Sequence, residues 1–229
     1  MDGGVILFVV FIAVAIAVAV FGHLAAKRRR EALGAWAQGH GLTFSPGRQG
    51  GYDGRFPNYG CLARGSNRYA HNVMQGRFRD RELLAFDYHY ETHSTDSKGR
   101  RQTHHHHFSA VIAHTDAPLD HLLIRPEGLF DRVKEFFGFD DIDLESAEFS
   151  RRFHVGARDK RWAYDVLHPR AMQFLLDSSN FSIQFDGHSA IAWRNRRFAP
   201  EDFDAAATAL DTLLDGIPAH AFERLKGRA

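Results

Sequence analysis

Four consecutive histidines, His104 to His107, form the densest chemistry-bearing run in a chain that holds 15 histidines among 229 residues. On a β-strand His104 and His106 share one face and His105 and His107 the other, with about 7 Å between the members of each pair. His89 and His93 fall in a preceding segment that reads as the partner strand. A face carrying His104 and His106 with His89 across the ladder offers three imidazoles, a donor set that suits Zn²⁺ or Ni²⁺. No cysteine flanks the tract and no acidic residue stands close enough in sequence to complete a tetrahedral set. The reading is therefore a solvated hairpin tip with no resident metal or other cofactor, and with His89, His104 and His106 as its metal-ligand candidates.

Other chemistries find less. Asp141, Asp143 and Glu145 suggest calcium, but the loop motif needs glycine at its sixth position, where Ser146 stands. Read as a strand, those carboxylates form one solvated face with Ile142 and Leu144 behind it. No serine lies in a nucleophile elbow, Cys61 has no local signature, and Gly39-His40-Gly41 lacks the third glycine of a phosphate loop. No catalytic residue is assigned. Arg151-Arg152, Arg194 and Arg196-Arg197 sit beside aromatic residues and could meet an anionic ligand, although such arginines commonly lay their stems over apolar surface.

The elements that must position these residues follow from pattern. Tyr69–Gln75, Glu82–Tyr90 and about Thr103–Ala113 read as an antiparallel meander. Glu148–Val155 reads as a further strand, and Asp186-Gly187 as a two-residue hairpin turn between Ile183/Phe185 and Ile191/Trp193. Helical spacing predicts three helices: one over Leu129–Phe137, one opened by Pro169, and one opened by Pro200. The last carries the stripe Phe203, Ala206, Ala207, Leu210, Leu213 and Leu214, with Ala209 expected on its other side. The fold class is α+β, an antiparallel sheet with about three packed helices.

Ahead of that domain, Val5 to Phe21 contains only Val, Ile, Leu, Phe and Ala, and Lys27-Arg28-Arg29-Arg30 closes the apolar run. About twenty helical residues cross a hydrocarbon core of roughly 30 Å. Charge follows the run and only Asp2 precedes it, which is the flank of an anchor and not of a cleaved signal. The expected organisation is an anchor over 1–30, a juxtamembrane helix over 31–41 with Trp36 near the headgroups, and a soluble domain over 42–229. A break near Pro118–Pro126 marks possible sub-lobes 42–120 and 121–229. Basic residues stay inside, so the expected location is the bacterial inner (plasma) membrane, N-terminus outside and C-terminal domain cytoplasmic. The partner of residues 5–26 is then the lipid bilayer.

Without residues 1–30 the chain keeps 25 basic against 27 acidic residues. That near-neutral balance argues against a nucleic-acid partner. One cysteine excludes an intrachain disulfide.

Glu145, Phe149, Phe153, Val155, Asp159, Ala163, Tyr164, Pro169, Phe198 and Phe203 together resemble a family of uncharacterised bacterial membrane-anchored proteins, a domain of unknown function. The resemblance covers Asp141 to Phe203. It implies an acidic–aromatic strand, a turn with Asp, a Tyr-bearing strand, a Pro-started helix, a hairpin and a closing helix. This chain departs from it at His168, where a hydroxyl N-cap is expected. The resemblance implies a membrane-tethered α+β domain and transfers no site. The resulting function is a membrane-tethered cytoplasmic interaction or scaffold domain, non-catalytic, with an unidentified membrane protein as partner. The alternatives are a hydrolase or metal-dependent enzyme using the 89–107 hairpin, and a small-ligand or lipid-binding module.

Overall fold

The computed structural model describes residues 3–127, 142, 144, 146–178 and 180–227. The helix expected over 129–137 and the carboxylates Asp141, Asp143 and Glu145 lie outside them, while Ile142 and Leu144 are buried. Helix α1 runs unbroken from Gly3 to Gly39. It is the one described helix long and apolar enough to cross a membrane, and its apolar window has no buried residue. The helix ends in a Schellman turn, because Gly41 takes a left-handed φ of 68°. Leu42 N–H then reaches Ala37 O at 2.8 Å and Gly41 N–H reaches Gln38 O at 3.1 Å.

Trp36, expected near the headgroups, is held by the folded domain. It is buried against Phe203, with ring centroids 5.6 Å apart, and donates its indole N–H to Asp204. The last turns of α1, with Leu33, Trp36 and Ala37, thus belong to the core of the folded domain.

The sheet is antiparallel throughout. It comprises β1 (Thr43–Ser45), β2 (Ser66–Phe78), β3 (Arg81–Thr95), β4 (Arg101–Pro126), β5 (Phe153–Ala157) and β6 (Ser182–Arg194). The order is β1-β2-β3-β4-β5, with β6 on the other edge of β4. Strand β4 is the spine: its first half pairs with β3, its last residues with β5, and Ser109–Ile124 with β6. It continues through Pro118, where a shift in register absorbs the missing N–H.

Three expectations change. Asp186-Gly187 is not a hairpin turn, because β6 continues past it to stay paired with β4 on both sides. Gly187, with φ 60°, takes up the irregularity opposite the β4 bend. Glu148–Val155 is not one strand. Helix α3 (Ala147–Arg152) is capped by Ser146, whose hydroxyl accepts from Phe149 N, and β5 begins at Phe153. The segment bearing Tyr164 is helix α4 (Lys160–Val166), capped by Asp159. Helix α2 (Tyr52–Arg55) forms one helical turn ahead of β2.

Both proline-opened helices are present, α5 (Pro169–Ser178) and α6 (Pro200–Gly216), and α7 (Ala219–Lys226) follows. His168 performs the capping role a hydroxyl was expected to fill: its Nδ1 accepts from Ala171 N–H at 3.4 Å. On α6 the whole predicted stripe is buried, and so is Ala209, because α6 packs between the sheet and its neighbouring helices. One sheet face carries α1 and α3 to α7. The opposite face is covered by Tyr52, Phe56, Tyr59 and Leu62.

Candidate functional site

Side chains alternate along β3, so Leu83, Ala85, Asp87, His89 and Glu91 lie on the face that receives α1. The apolar part of that face ends at Ala85 and its cross-strand partner Val111. Beyond it the face turns polar, and α1 passes over it on the way out of the domain. Here Arg29, one of the four basic residues that close the span, reaches into the sheet. Its Nη2 and Nε bond Asp87 Oδ1 and Oδ2 at 2.6 and 2.8 Å, and Nη1 donates to Phe198 O at 2.8 Å. Ser109 Oγ and Asn72 Nδ2 also donate to the carboxylate, at 2.5 and 2.9 Å. Asn72 reaches inward because β2 shifts register after His71, where Asn72 adopts a φ of 49°.

Asp87 is wholly buried. Burial by itself raises its carboxyl pKa, but the hydrogen bonds and charge of Arg29, aided by Ser109 and Asn72, outweigh that and hold it below the ordinary range. The span and the sheet are therefore joined by a bidentate, desolvated ion pair.

Beside this pair, between α1 and the sheet, lies a cleft of about 240 Å³ lined by Ala26, Arg30, Arg48, His71, Asn72 and Arg197 among others. The Arg48 guanidinium lies 4.5 Å over the Tyr69 ring, and Arg197 Nη2 donates to His107 Nδ1 at 2.9 Å. Burial, then the charge of Arg197, push His107 down to about 4, and burial lowers His71 as well. Both imidazoles are therefore neutral at physiological pH. Of the arginines singled out from sequence, only Arg197 reaches the cleft. Arg194 lies 3.8 Å over Phe181 and pairs with Asp202, Arg152 caps Leu176 O, and Arg151 turns back to Ala147 O.

The histidine hairpin continues the same face outward. Register fixes what the sequence left open: His89 stands opposite His107, Glu91 opposite His105, Tyr90 opposite His106 and Thr92 opposite His104. His104 and His106 therefore lie on the sheet face opposite His89. His106 stacks on Tyr90 at 4.6 Å and meets Thr92 Oγ1, and His104 meets Ser94 Oγ. The group that does converge is His89, Glu91 and His105, and Glu91 is the nearby acidic residue missing from the sequence reading. His89 Nε2 lies 3.2 Å from His105 Nδ1, which lies 3.3 Å from Glu91 Oε1, and the third side of the triangle is 4.0 Å. The edge of a tetrahedron around a cation bound at 2.0–2.1 Å is about 3.3 Å, so the three atoms could hold Zn²⁺ with an open fourth position. His89 Nδ1 lies 3.0 Å from Asn67 O, and donating there presents the Nε2 lone pair.

This arrangement fixes a testable outcome. Zn²⁺ titrated into the metal-free protein should bind more weakly below about pH 6.5, since imidazole ligates only when neutral. His105→Asn or Glu91→Gln should weaken that binding about tenfold or more, at least what the loss of an outer-shell partner costs. The pair His104→Asn with His106→Asn should leave it unchanged. The reverse pattern in isothermal titration would refute the face assignment.

Cys61 is buried, and burial pushes its thiol up to about 12, which leaves no thiolate for nucleophilic chemistry.

No family model matches this chain, and a search of curated proteins also found no match. Among solved structures, the crystal structure of the mycobacterial trehalose monomycolate transport factor A, TtfA, superposes with a TM-score of 0.62 at 16% identity. The match covers 84% of this chain and 96% of that one. At that identity the likeness is one of fold: an α+β domain built on an antiparallel sheet.

Proposed function

We propose that this protein is a single-pass, membrane-tethered accessory domain, non-catalytic, that works beside a membrane protein in a transport-related system. The observation that carries the reading is the Arg29–Asp87 pair. It joins the apolar helix to the sheet by a buried contact and not by a flexible linker, so the domain is held in one pose against the bilayer. Tethering raises the concentration of such a domain near membrane partners, and a fixed pose selects which surface they meet. The fold likeness to a transport factor supports the transport-related part, and the resemblance over 141–203 supports membership in a family of membrane-anchored bacterial proteins. The basic cluster after the span supports an inner-membrane location with the N-terminus outside and residues 31–229 in the cytoplasm.

Two measurements test this. A reporter fused after Ala229 should behave as cytoplasmic, and moving Lys27–Arg30 ahead of Val5 should invert it; an extracytoplasmic native C-terminus refutes the orientation. Photo-crosslinkers placed along the face bearing His105 and Arg197 should capture a membrane protein in native membranes, and crosslinkers at exposed Thr212 on α6 should not. Stoichiometric Zn²⁺ in protein purified without a metal column would instead favour the metal-dependent enzyme.

A further inference from the structure

We propose that the cleft between α1 and the sheet binds the phosphate of an anionic phospholipid headgroup from the bilayer that α1 crosses. The charge in the cleft is the first reason. Arg29 is neutralised by Asp87, but among the described residues Arg30, Arg48 and Arg197 have no carboxylate within ion-pair distance. Three exposed guanidinium groups around one small cleft concentrate positive charge at it. A guanidinium presents a planar fork of donors that matches phosphate oxygens.

Position is the second reason. On its α1 side the cleft is lined by Ala26, the last apolar residue before Lys27, together with Arg29 and Arg30. With the apolar run in hydrocarbon, that level is where headgroup phosphates lie, so a lipid reaches the cleft without leaving the bilayer. The third reason is an unmet acceptor. Asn72 is buried with Nδ2 committed to Asp87, and its Oδ1 has no hydrogen-bond partner. Headgroups such as that of phosphatidylglycerol pair a phosphate with hydroxyl donors, which suits a cleft lined by arginines and by Asn72.

The inference rests on α1 spanning the membrane, which the C-terminal reporter tests separately. The full chain, reconstituted in nanodiscs of phosphatidylcholine with an admixture of phosphatidylglycerol, is extracted and its retained lipid is identified by native mass spectrometry. Phosphatidylglycerol should be enriched over phosphatidylcholine. Arg48→Gln with Arg197→Gln should cut that enrichment roughly 25-fold, at about fivefold for each arginine facing anionic lipid. Arg48→Lys with Arg197→Lys, which keeps the charge, should preserve most of it and guards against a folding artefact. Arg101→Gln with Arg161→Gln, which removes two exposed charges elsewhere, should change nothing. Equal retention of the two lipids, or equal losses from both glutamine pairs, would overturn the proposal. Inorganic phosphate or glycerol phosphate binding as tightly as the lipid would overturn the lipid source.

Discussion

Arg29→Ala should destabilise the folded domain by about 3–5 kcal/mol at neutral pH, the cost of removing one partner from a buried ion pair. The loss arises less from the contact than from what remains: the Asp87 carboxylate, wholly buried, with only Ser109 and Asn72 to solvate it. The pH dependence identifies the cause. In the native protein the folded Asp87 pKa is depressed. Its contribution is therefore complete above about pH 3.9 and is lost only as pH falls through the lower folded value. Without Arg29, burial dominates and raises the folded pKa above that of the unfolded chain, so the charged carboxylate destabilises at neutral pH and protonation relieves it. The stability gap between native protein and variant should then narrow on acidification from about pH 7 to 5. Asp87→Asn added to Arg29→Ala should restore most of the loss. Urea denaturation of the detergent-solubilised chain measures all three; a gap below about 1 kcal/mol, typical of an exposed pair, would show that α1 is only loosely attached.

Leu210→Asp should have an effect of similar size. Leu210 is fully buried on α6 among the helices and the sheet. An unpaired carboxylate there loses its hydration and also removes the packing of a leucine, whose truncation to alanine alone costs about 2–5 kcal/mol in a core. Thr212→Asp, on the exposed side, should stay within about 0.5 kcal/mol. Ala209 is no control, since it is buried despite its place off the main stripe. Thermal melts separate the two outcomes, and equal tolerance of both aspartates would mean that α6 does not close the core.

How far the sequence was legible depended on the range of the interaction. The α6 stripe and the apolar span are local periodicities, and both are read directly from spacing. The meander over β2, β3 and β4 is signalled by alternation, yet its register is not. A turn shifted by one residue exchanges the faces of a strand, so spacing alone groups His104 and His106 with His89, whereas His105 and His107 share its side. Asp186-Gly187 carries a strong local turn signal, but pairing with β4 on both sides of it prevails. Glu148 to Val155 alternates well enough for a strand, and only the Ser146 cap marks the helical start. The Arg29–Asp87 pair spans 58 residues and joins a basic cluster sufficiently explained by topology to an acidic residue in a strand. Charge counting does not find such a pair. Arg29 also lies on the anchor side of the 30/31 boundary, so a chain begun at Glu31 would lack half of the domain's buried ion pair.

The unbroken course of α1 from Gly3 to Gly39 makes the span a shaft keyed to its load. Each helical residue adds about 1.5 Å and turns the helix by about 100°. One alanine inserted between Phe21 and Ala25 would leave every contact within the domain in place, yet swing the cleft and the histidine face by more than a quarter turn relative to the embedded part. Seven inserted residues, close to two full turns, would nearly restore the bearing while lifting the domain by about 10 Å. Height above the bilayer and compass direction are thus set separately, by the length and the phase of one helix.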